Sequence, residues 1–150
     1  MQLDRLCMCK AAEVGKIVVN KCLDAGIFIN TQKLQKLLSL MQIECIEKSH
    51  KPLFKEDIRM WRCGIAIKEV DEEFRNYGEK FDCKQEEFIT LLEAEEKSVD
   101  YIISKYGQKD AYELNSLPHN QKIINLAVKT DNANVPFVSY QILMGFLYNI

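Results

Sequence analysis

The chain has 150 residues, of which 47% are hydrophobic and 28% are charged, with only three prolines and six glycines. This composition is typical of a globular protein and excludes a disordered chain, and the length predicts a single domain over residues 1–150. The net charge of −2 and the pI of about 5.8 exclude a general affinity for nucleic acid and leave open only a local basic patch.

The cysteines and the apolar runs indicate a reduced, cytoplasmic protein. Asp4, Arg5 and Lys10 interrupt any early apolar run, so a signal peptide is not expected. No stretch approaches the roughly 18–20 apolar residues that span a bilayer, which argues against a membrane partner. We therefore expect free thiols, rather than a disulfide framework, at all six cysteines: Cys7, Cys9, Cys22, Cys45, Cys63 and Cys83.

Two amphipathic helices are predicted in the first third of the chain. Residues 1–26 form the first, which Gly26 ends. Its buried side is expected to contain Ala12, Val14, Ile17, Val18 and Cys22, and its water-facing side Asn20, Lys21 and Asp24. Asn30 or Thr31 caps the second helix, which runs to about Glu47 and has one apolar face made of Leu34, Leu37, Leu38, Met41 and Cys45.

The pattern is least regular over residues 50–66. The apolar side chains there keep no clean period, so we predict a loop with one short β pairing within residues 53–66. A third helix follows and ends at Tyr77-Gly78.

The remaining elements are predicted from cap residues. Asp82 opens a long helix whose apolar stripe runs from Phe88 to Tyr106, and Asp110 opens a short helix through Leu117. Pro118 starts the next helix, and Ser139 caps the last one, from Tyr140 to Tyr148. The predicted fold is mainly α, with about seven helices and short turns.

No motif in the sequence predicts catalysis, a cofactor or a metal. Cys7-Met8-Cys9 has the wrong spacing for a zinc knuckle, and no His pair completes a ligand set. A thiol enzyme pairing Cys63 with His119 stays open as an alternative, although no local signature surrounds either residue. We therefore expect a protein that is not an enzyme.

Two features suggest a binding site. Lys33 and Lys36, with Lys48, Lys51, Arg59 and Arg62, are interpreted either as ordinary surface residues or as a positive patch for an acidic partner or nucleic acid. Trp61 is the only tryptophan and lies between two arginines; because Trp and Arg are enriched at interface hot spots, Arg59–Arg62 is the predicted binding edge. Phe54, in the same aromatic segment, is a further predicted contact.

The order of short motifs resembles the Panacea antitoxin-domain family. Lys-Leu-Gln-Lys-Leu-Leu at 33–38 is followed by Pro-Leu-Phe at 52–54, a Trp three residues before Gly64, and Phe74-x-x-Tyr77-Gly78. The resemblance implies a non-enzymatic antitoxin-like neutraliser or adaptor that binds a toxin or, in a viral setting, a host protein. A nucleic-acid-binding regulator is the alternative. The sequence departs from the family where Gly64-Ile65-Ala66 replaces the usual Gly-Pro-Val, which removes a rigid turn.

Overall fold

The computed structural model describes residues 8–61, 64–130 and 135–148. These residues form seven helices and three short strands, which confirms the prediction of a mainly α fold. The helices are α1 (Ala11–Asp24), α2 (Thr31–Ser49), α3 (Lys68–Phe74), α4 (Glu93–Tyr106), α5 (Ala111–Asn115), α6 (Pro118–Thr130) and α7 (Tyr140–Tyr148). The strands are β1 (Ile58–Trp61), β2 (Gly64–Ala66) and β3 (Phe137–Val138).

Helix α2 is the centre of the fold. It packs against each of the other helices and against β2. Between Lys33 and Ile46 every residue except Glu44 is buried. Over these residues the helix has no wide polar face, and the amphipathic pattern predicted for it is incomplete. Five polar side chains are buried together with the apolar ones: Lys33, Gln35, Lys36, Ser39 and Gln42.

Local capping determines where α2 begins and ends. The Asn30 side chain accepts a hydrogen bond from the Lys33 N–H at 2.8 Å, so the predicted cap is confirmed. At the other end His50 adopts a left-handed conformation (φ 61°), and its N–H donates to the Ile46 carbonyl at 2.9 Å. The helix ends at Ser49, two residues beyond the predicted end.

The three strands form one antiparallel sheet in the order β2-β1-β3. The β1–β2 hairpin confirms the predicted pairing within residues 53–66, with Trp61 opposite Gly64 and Arg59 opposite Ala66. Strand β3 was not predicted. It is only two residues long and pairs with residues more than 70 positions earlier, so no local pattern marks it.

The long helix predicted from Asp82 is wrong in its first part. Residues 82–92 have no regular secondary structure, and α4 begins only at Glu93, where the Glu95 carboxylate accepts a hydrogen bond from the Leu92 N–H at 2.8 Å. The extended segment crosses α1, where Asn20 holds Gln85: the Asn20 amide accepts from its N–H at 2.7 Å and donates to its carbonyl at 2.8 Å.

The extended segment also changes the burial of two residues. Asn20, expected to face water, is only 7% exposed, because the segment covers it. Phe88, expected in the apolar stripe, is 65% exposed. Helix α1 begins at Ala11, and residues 1–7 of the longer predicted helix lie outside the described part of the chain.

The later cap predictions are confirmed. The Asp110 carboxylate accepts from the Glu113 N–H at 2.8 Å, α6 begins at Pro118, and the Ser139 hydroxyl accepts from the Ile142 N–H at 3.2 Å. Among the described residues, none of the helices combines the length and the apolarity that crossing a bilayer requires.

Candidate partner-binding surface

A row of buried polar side chains on α2 holds the hairpin in place. We call Gln35, Lys36, Ser39 and Gln42 the polar stripe; all four are 3% exposed or less. The Gln42 amide oxygen accepts from the Leu53 N–H at 2.7 Å and the Phe54 N–H at 3.2 Å, while its nitrogen donates to the Phe54 carbonyl at 2.8 Å. One side chain thus satisfies three backbone groups of the segment that enters the sheet.

The polar stripe also closes the outer edge of β2. The Lys36 ammonium donates to the Ile65 carbonyl at 2.9 Å, and the Gln35 side chain accepts from the Ile67 N–H at 2.5 Å. From α5, the Asn115 amide oxygen accepts from the Ile65 N–H at 3.2 Å. Because these backbone groups are already bonded, a partner cannot add a strand at Ile65 without displacing them.

The stripe extends to the later helices through Ser39. Its hydroxyl donates to the Asn120 side-chain oxygen at 2.6 Å, and the Asn120 nitrogen donates to the Leu114 carbonyl at 2.9 Å. Sequence reasoning missed Gln35, Gln42 and Asn120. The available signal was the four- and three-residue spacing from Gln35 to Ser39 to Gln42, which places polar groups on one side of an otherwise apolar helix.

Gly64 allows the hairpin to approach α5. Its φ of +104° lies in the region that favours glycine, and a Cβ there would overlap the Asn115 side chain. The family proline missing after Gly64 is replaced by Ile65, whose N–H donates to Asn115. A proline has no N–H, so the substitution gives this chain a hydrogen bond that the usual family residue cannot form.

Ile58 is the one fully buried residue of strand β1, whereas Arg59, Met60 and Trp61 are half-buried. Ile58 is 1% exposed, and Met60 packs against the core. Arg59 and Trp61 point to the opposite side because successive side chains on a strand alternate. Both are half-buried. We call these two side chains the outer face of the hairpin.

Arg59 differs from the other arginine in the described part of the chain. Its Nε is buried and has no hydrogen-bond partner. The exposed Arg75, by contrast, pairs with Asp71 at 3.7 Å. A buried Nε–H without an acceptor is destabilising, since a buried donor normally has one.

Three of the six predicted contact residues lie inside the fold. Phe54 is fully buried, and Lys36 and Lys33 are only 2% and 4% exposed. Lys33 donates to the Phe28 carbonyl at 2.8 Å, so both lysines are occupied by backbone acceptors. The expected surface patch containing them is therefore wrong. The structure does bring Arg59 and Trp61 together, while Arg62 lies outside the described residues.

The described thiols differ in their burial. Cys9, Cys22 and Cys45 are buried and Cys83 is exposed, while Cys7 and Cys63 lie outside the described residues. Burial raises the pKa of the Cys22 thiol to about 11, so it stays protonated at neutral pH and is a poor nucleophile. Burial also lowers the pKa of the Lys33 ammonium.

No group of three or more metal-ligating side chains comes together within residues 8–61, 64–130 and 135–148. His119 lies 3.8 Å from Glu47, and the His50 ring lies against Tyr148, with ring centroids 4.8 Å apart. Both histidines thus contact the C-terminal part of α2 or the helix packed on it. The proposed pairing of His119 with Cys63 involves a cysteine outside the described residues.

A comparison with known protein families shows to which family the chain belongs. The profile described as "Antitoxin SocA-like, Panacea domain" matches residues 34–123. This range contains most of α2, the whole hairpin, and α3 to α5. The chain belongs to the SocA-like Panacea domain family. No curated protein and no solved structure matches the chain significantly. Helices α1 and α7 and strand β3 lie outside the matched residues.

Proposed function

We propose that this Panacea-domain protein is a non-enzymatic antitoxin-like module that neutralises a protein partner or delivers it elsewhere. The partner is a toxin or a cellular protein, and it binds the outer face of the hairpin. The observation that carries the proposal is the position of Trp61: the only tryptophan stays half-buried beside Arg59, on a strand within the family-matched residues. Trp and Arg are the side chains most enriched among residues that dominate binding energy.

The polar stripe supports this role physically. A partner-binding surface gains affinity when it is ordered before binding, because less conformational entropy is lost on association. Gln42 and Lys36 fix the backbone on both sides of β1 through buried hydrogen bonds. The outer face is therefore presented on a strand whose position does not depend on the partner.

A nucleic-acid-binding role receives less support. That hypothesis used Lys33, Lys36, Arg59 and Arg62 as phosphate contacts. Lys33 and Lys36 are buried and donate to backbone carbonyls, so they cannot reach a phosphate without unfolding part of α2. Two cations are too few for the steeply salt-dependent binding that several phosphate contacts produce.

Affinity capture tests the proposal. The tagged chain is incubated with lysate of its native cell or host, and bound proteins are identified by mass spectrometry. We expect one protein in stoichiometric amount with the wild type and its loss with Trp61→Ala. Tyr112→Ala is the matched control, because Tyr112 is 82% exposed on α5, and it should capture as the wild type does.

Two results would contradict the proposal. One is equal capture by wild type and by a Trp61→Ala variant whose circular dichroism shows an intact fold. The other is an eluate that contains only nucleic acid, released in a steeply salt-dependent way, which would favour the regulator hypothesis.

A further inference from the structure

We propose that the extended segment, residues 82–92, binds a basic strand of a partner protein by β-strand addition. The inference goes beyond the proposed function, because it concerns a second surface and uses no residue of the hairpin. From residue 84 to residue 92 the backbone contains no turn or bend, and it belongs to no sheet formed by the described residues. An exposed extended backbone of this kind is a template on which another chain can add a strand.

The side chains of the extended segment alternate between the core and water. Ile89 packs against the core, and Leu91 is only 5% exposed. Glu86 and Thr90 are exposed, and Phe88 between them is 65% exposed. Successive side chains of an extended chain point to opposite sides, so the three exposed residues lie on one side, turned towards water. That side of the segment is open to a partner.

One edge of the segment is occupied and the other is free. Asn20 bonds both the N–H and the carbonyl of Gln85, at 2.7 and 2.8 Å. Backbone groups of successive residues in an extended chain point to opposite edges, so those of every second residue after Gln85 point away from Asn20. We call the backbone N–H and carbonyl groups of Glu86, Phe88 and Thr90 the free edge. Within the described part of the chain, none of these groups has a hydrogen-bond partner.

The charge of the segment determines the kind of strand that fits. It contains three carboxylates and a single cationic side chain, Lys84, which already pairs with Asp24 on α1 at 2.5 Å. Glu86 forms no ion pair with a described residue, so a Lys or Arg directly opposite it makes a favourable cross-strand pair. A second copy of this chain would instead bring its own carboxylates to the same edge. The occupant is therefore a basic strand of another protein.

Phe88 adds an apolar contact beside the free edge. One face of its ring lies under the Lys16 ammonium, 4.8 Å from the ring centroid, and most of the ring is exposed to water. Aromatic and β-branched side chains stabilise a sheet when they lie opposite each other on neighbouring strands. An antiparallel strand with an Ile or Val opposite Phe88 therefore has its Lys or Arg two residues later, opposite Glu86.

Residue-resolved amide exchange of the full chain, measured by NMR, tests the inference. The probe is the peptide acetyl-Thr-Thr-Ile-Thr-Lys-Thr-amide at low salt. We expect saturating peptide to slow the exchange of the Phe88 and Thr90 amides several-fold. The Ile89 amide should exchange as before, because its N–H points to the other edge. The same peptide with Gln in place of Lys should bind about threefold more weakly.

A pair of variants at an exposed position assigns the binding to the backbone. Thr90→Pro removes one N–H from the free edge and suits an extended chain, whereas Thr90→Ala, the matched control, keeps the N–H. We expect Thr90→Pro to bind the peptide roughly tenfold more weakly, the ratio that one hydrogen bond supports, and Thr90→Ala to bind it as the wild type does.

Four results would overturn the inference. The first is unchanged exchange at Phe88 and Thr90 in millimolar peptide, and the second is equal slowing at Ile89, which would show binding without pairing at one edge. The third is a dimer of the chain in analytical ultracentrifugation that Thr90→Pro dissociates, because a second copy would then be the occupant. The fourth is loss of peptide binding in a folded Trp61→Ala variant, which would place the peptide on the hairpin. Trp61→Ala that loses the captured partner and keeps the peptide would support both surfaces.

Discussion

The polar side chains on the two sides of the hairpin differ in whether they have hydrogen-bond partners. On the inner side, each member of the polar stripe forms a hydrogen bond with the backbone or with Asn120, although all are buried. On the outer side, the Arg59 Nε is buried without an acceptor, and Trp61 keeps part of its ring in water. The inner side stabilises the fold, whereas the outer side contributes no comparable hydrogen bond to it. Partly buried side chains that do not stabilise the fold are candidates for binding.

The largest effect is expected on the inner side, from Gln42→Ala. The substitution leaves the Leu53 and Phe54 N–H groups and the Phe54 carbonyl without their partner. We expect the free energy of unfolding to fall by about 3 kcal/mol, measured by urea denaturation. Gln32→Ala, at an exposed position of the same helix, is the control and should change it by less than about 0.5 kcal/mol. A loss below about 1 kcal/mol at Gln42 would contradict the role of the polar stripe.

Gly64→Ala tests the close approach of the hairpin to α5. The new Cβ meets Asn115 and the backbone has a φ of +104°, so the Asn115–Ile65 hydrogen bond must also be displaced. We expect the free energy of unfolding to fall by about 2 kcal/mol in the same urea assay. Gly78→Ala measures the effect of the left-handed backbone alone, because Gly78 has a φ of +68° and a Cβ added there would have no atom within 4 Å. It should lower the free energy of unfolding by about 1 kcal/mol. Equal losses for the two variants would show that contact with Asn115 is unimportant.

Asn20→Ala should release the extended segment rather than unfold the protein. Asn20 bonds both backbone groups of Gln85 and also donates to the Glu87 carboxylate at 2.8 Å. We expect the free energy of unfolding of the whole chain to fall by only about 1 kcal/mol. Amide exchange should accelerate over residues 83–89 and stay unchanged in α2. Faster exchange throughout the chain would contradict a local role, and Asn125→Ala, at an exposed position on α6, serves as the control.

The Cys22 thiol, buried on α1, gives a pH-dependent test of the core. Its pKa in the folded chain is raised to about 11 by burial, so above pH 9 the unfolded thiol loses its proton while the folded one keeps it. Stability should therefore fall as the pH rises from 9 to 11, and less so in Cys22→Ala. At pH 7 Cys22 should react with iodoacetamide far more slowly than the exposed Cys83. Equal rates would contradict the burial of Cys22.

The smallest effect on stability is expected on the outer side, from Arg59→Met. Met keeps an apolar stem and removes the unpartnered donor, so the free energy of unfolding should stay the same or rise by up to about 1 kcal/mol. Urea denaturation measures this change against Arg75→Met. A loss of about 2 kcal/mol or more would show that Arg59 supports the fold, and the contrast between the two sides of the hairpin would disappear.

Local signals explain what the sequence predicted correctly. The caps at Asn30, Asp110 and Ser139 each form a hydrogen bond with a residue three positions away. A short stretch of sequence is therefore enough to predict where these helices begin. The family resemblance was likewise visible in short motifs between Lys33 and Gly78.

Long-range bonds explain the errors. Residues 82–92 carry a cap signal and an apolar stripe, yet Asn20, 65 positions before Gln85, binds the backbone that a helix would have used. Lys36 was expected at the surface because its acceptor, the Ile65 carbonyl, is 29 positions away. Tertiary contacts of this kind override local propensity and leave no mark in the neighbouring sequence.

The most direct test of the outer face as the partner-binding surface is hydroxyl-radical footprinting of the chain, free and in complex with its captured partner. Trp61 is only half-buried in the free chain, so we expect it to be oxidised there, and the 82%-exposed Tyr112 provides an internal reference. If the partner covers the outer face, the oxidation rate of Trp61 falls several-fold in the complex while that of Tyr112 is unchanged. Equal oxidation of Trp61 in the free and bound chain would contradict it.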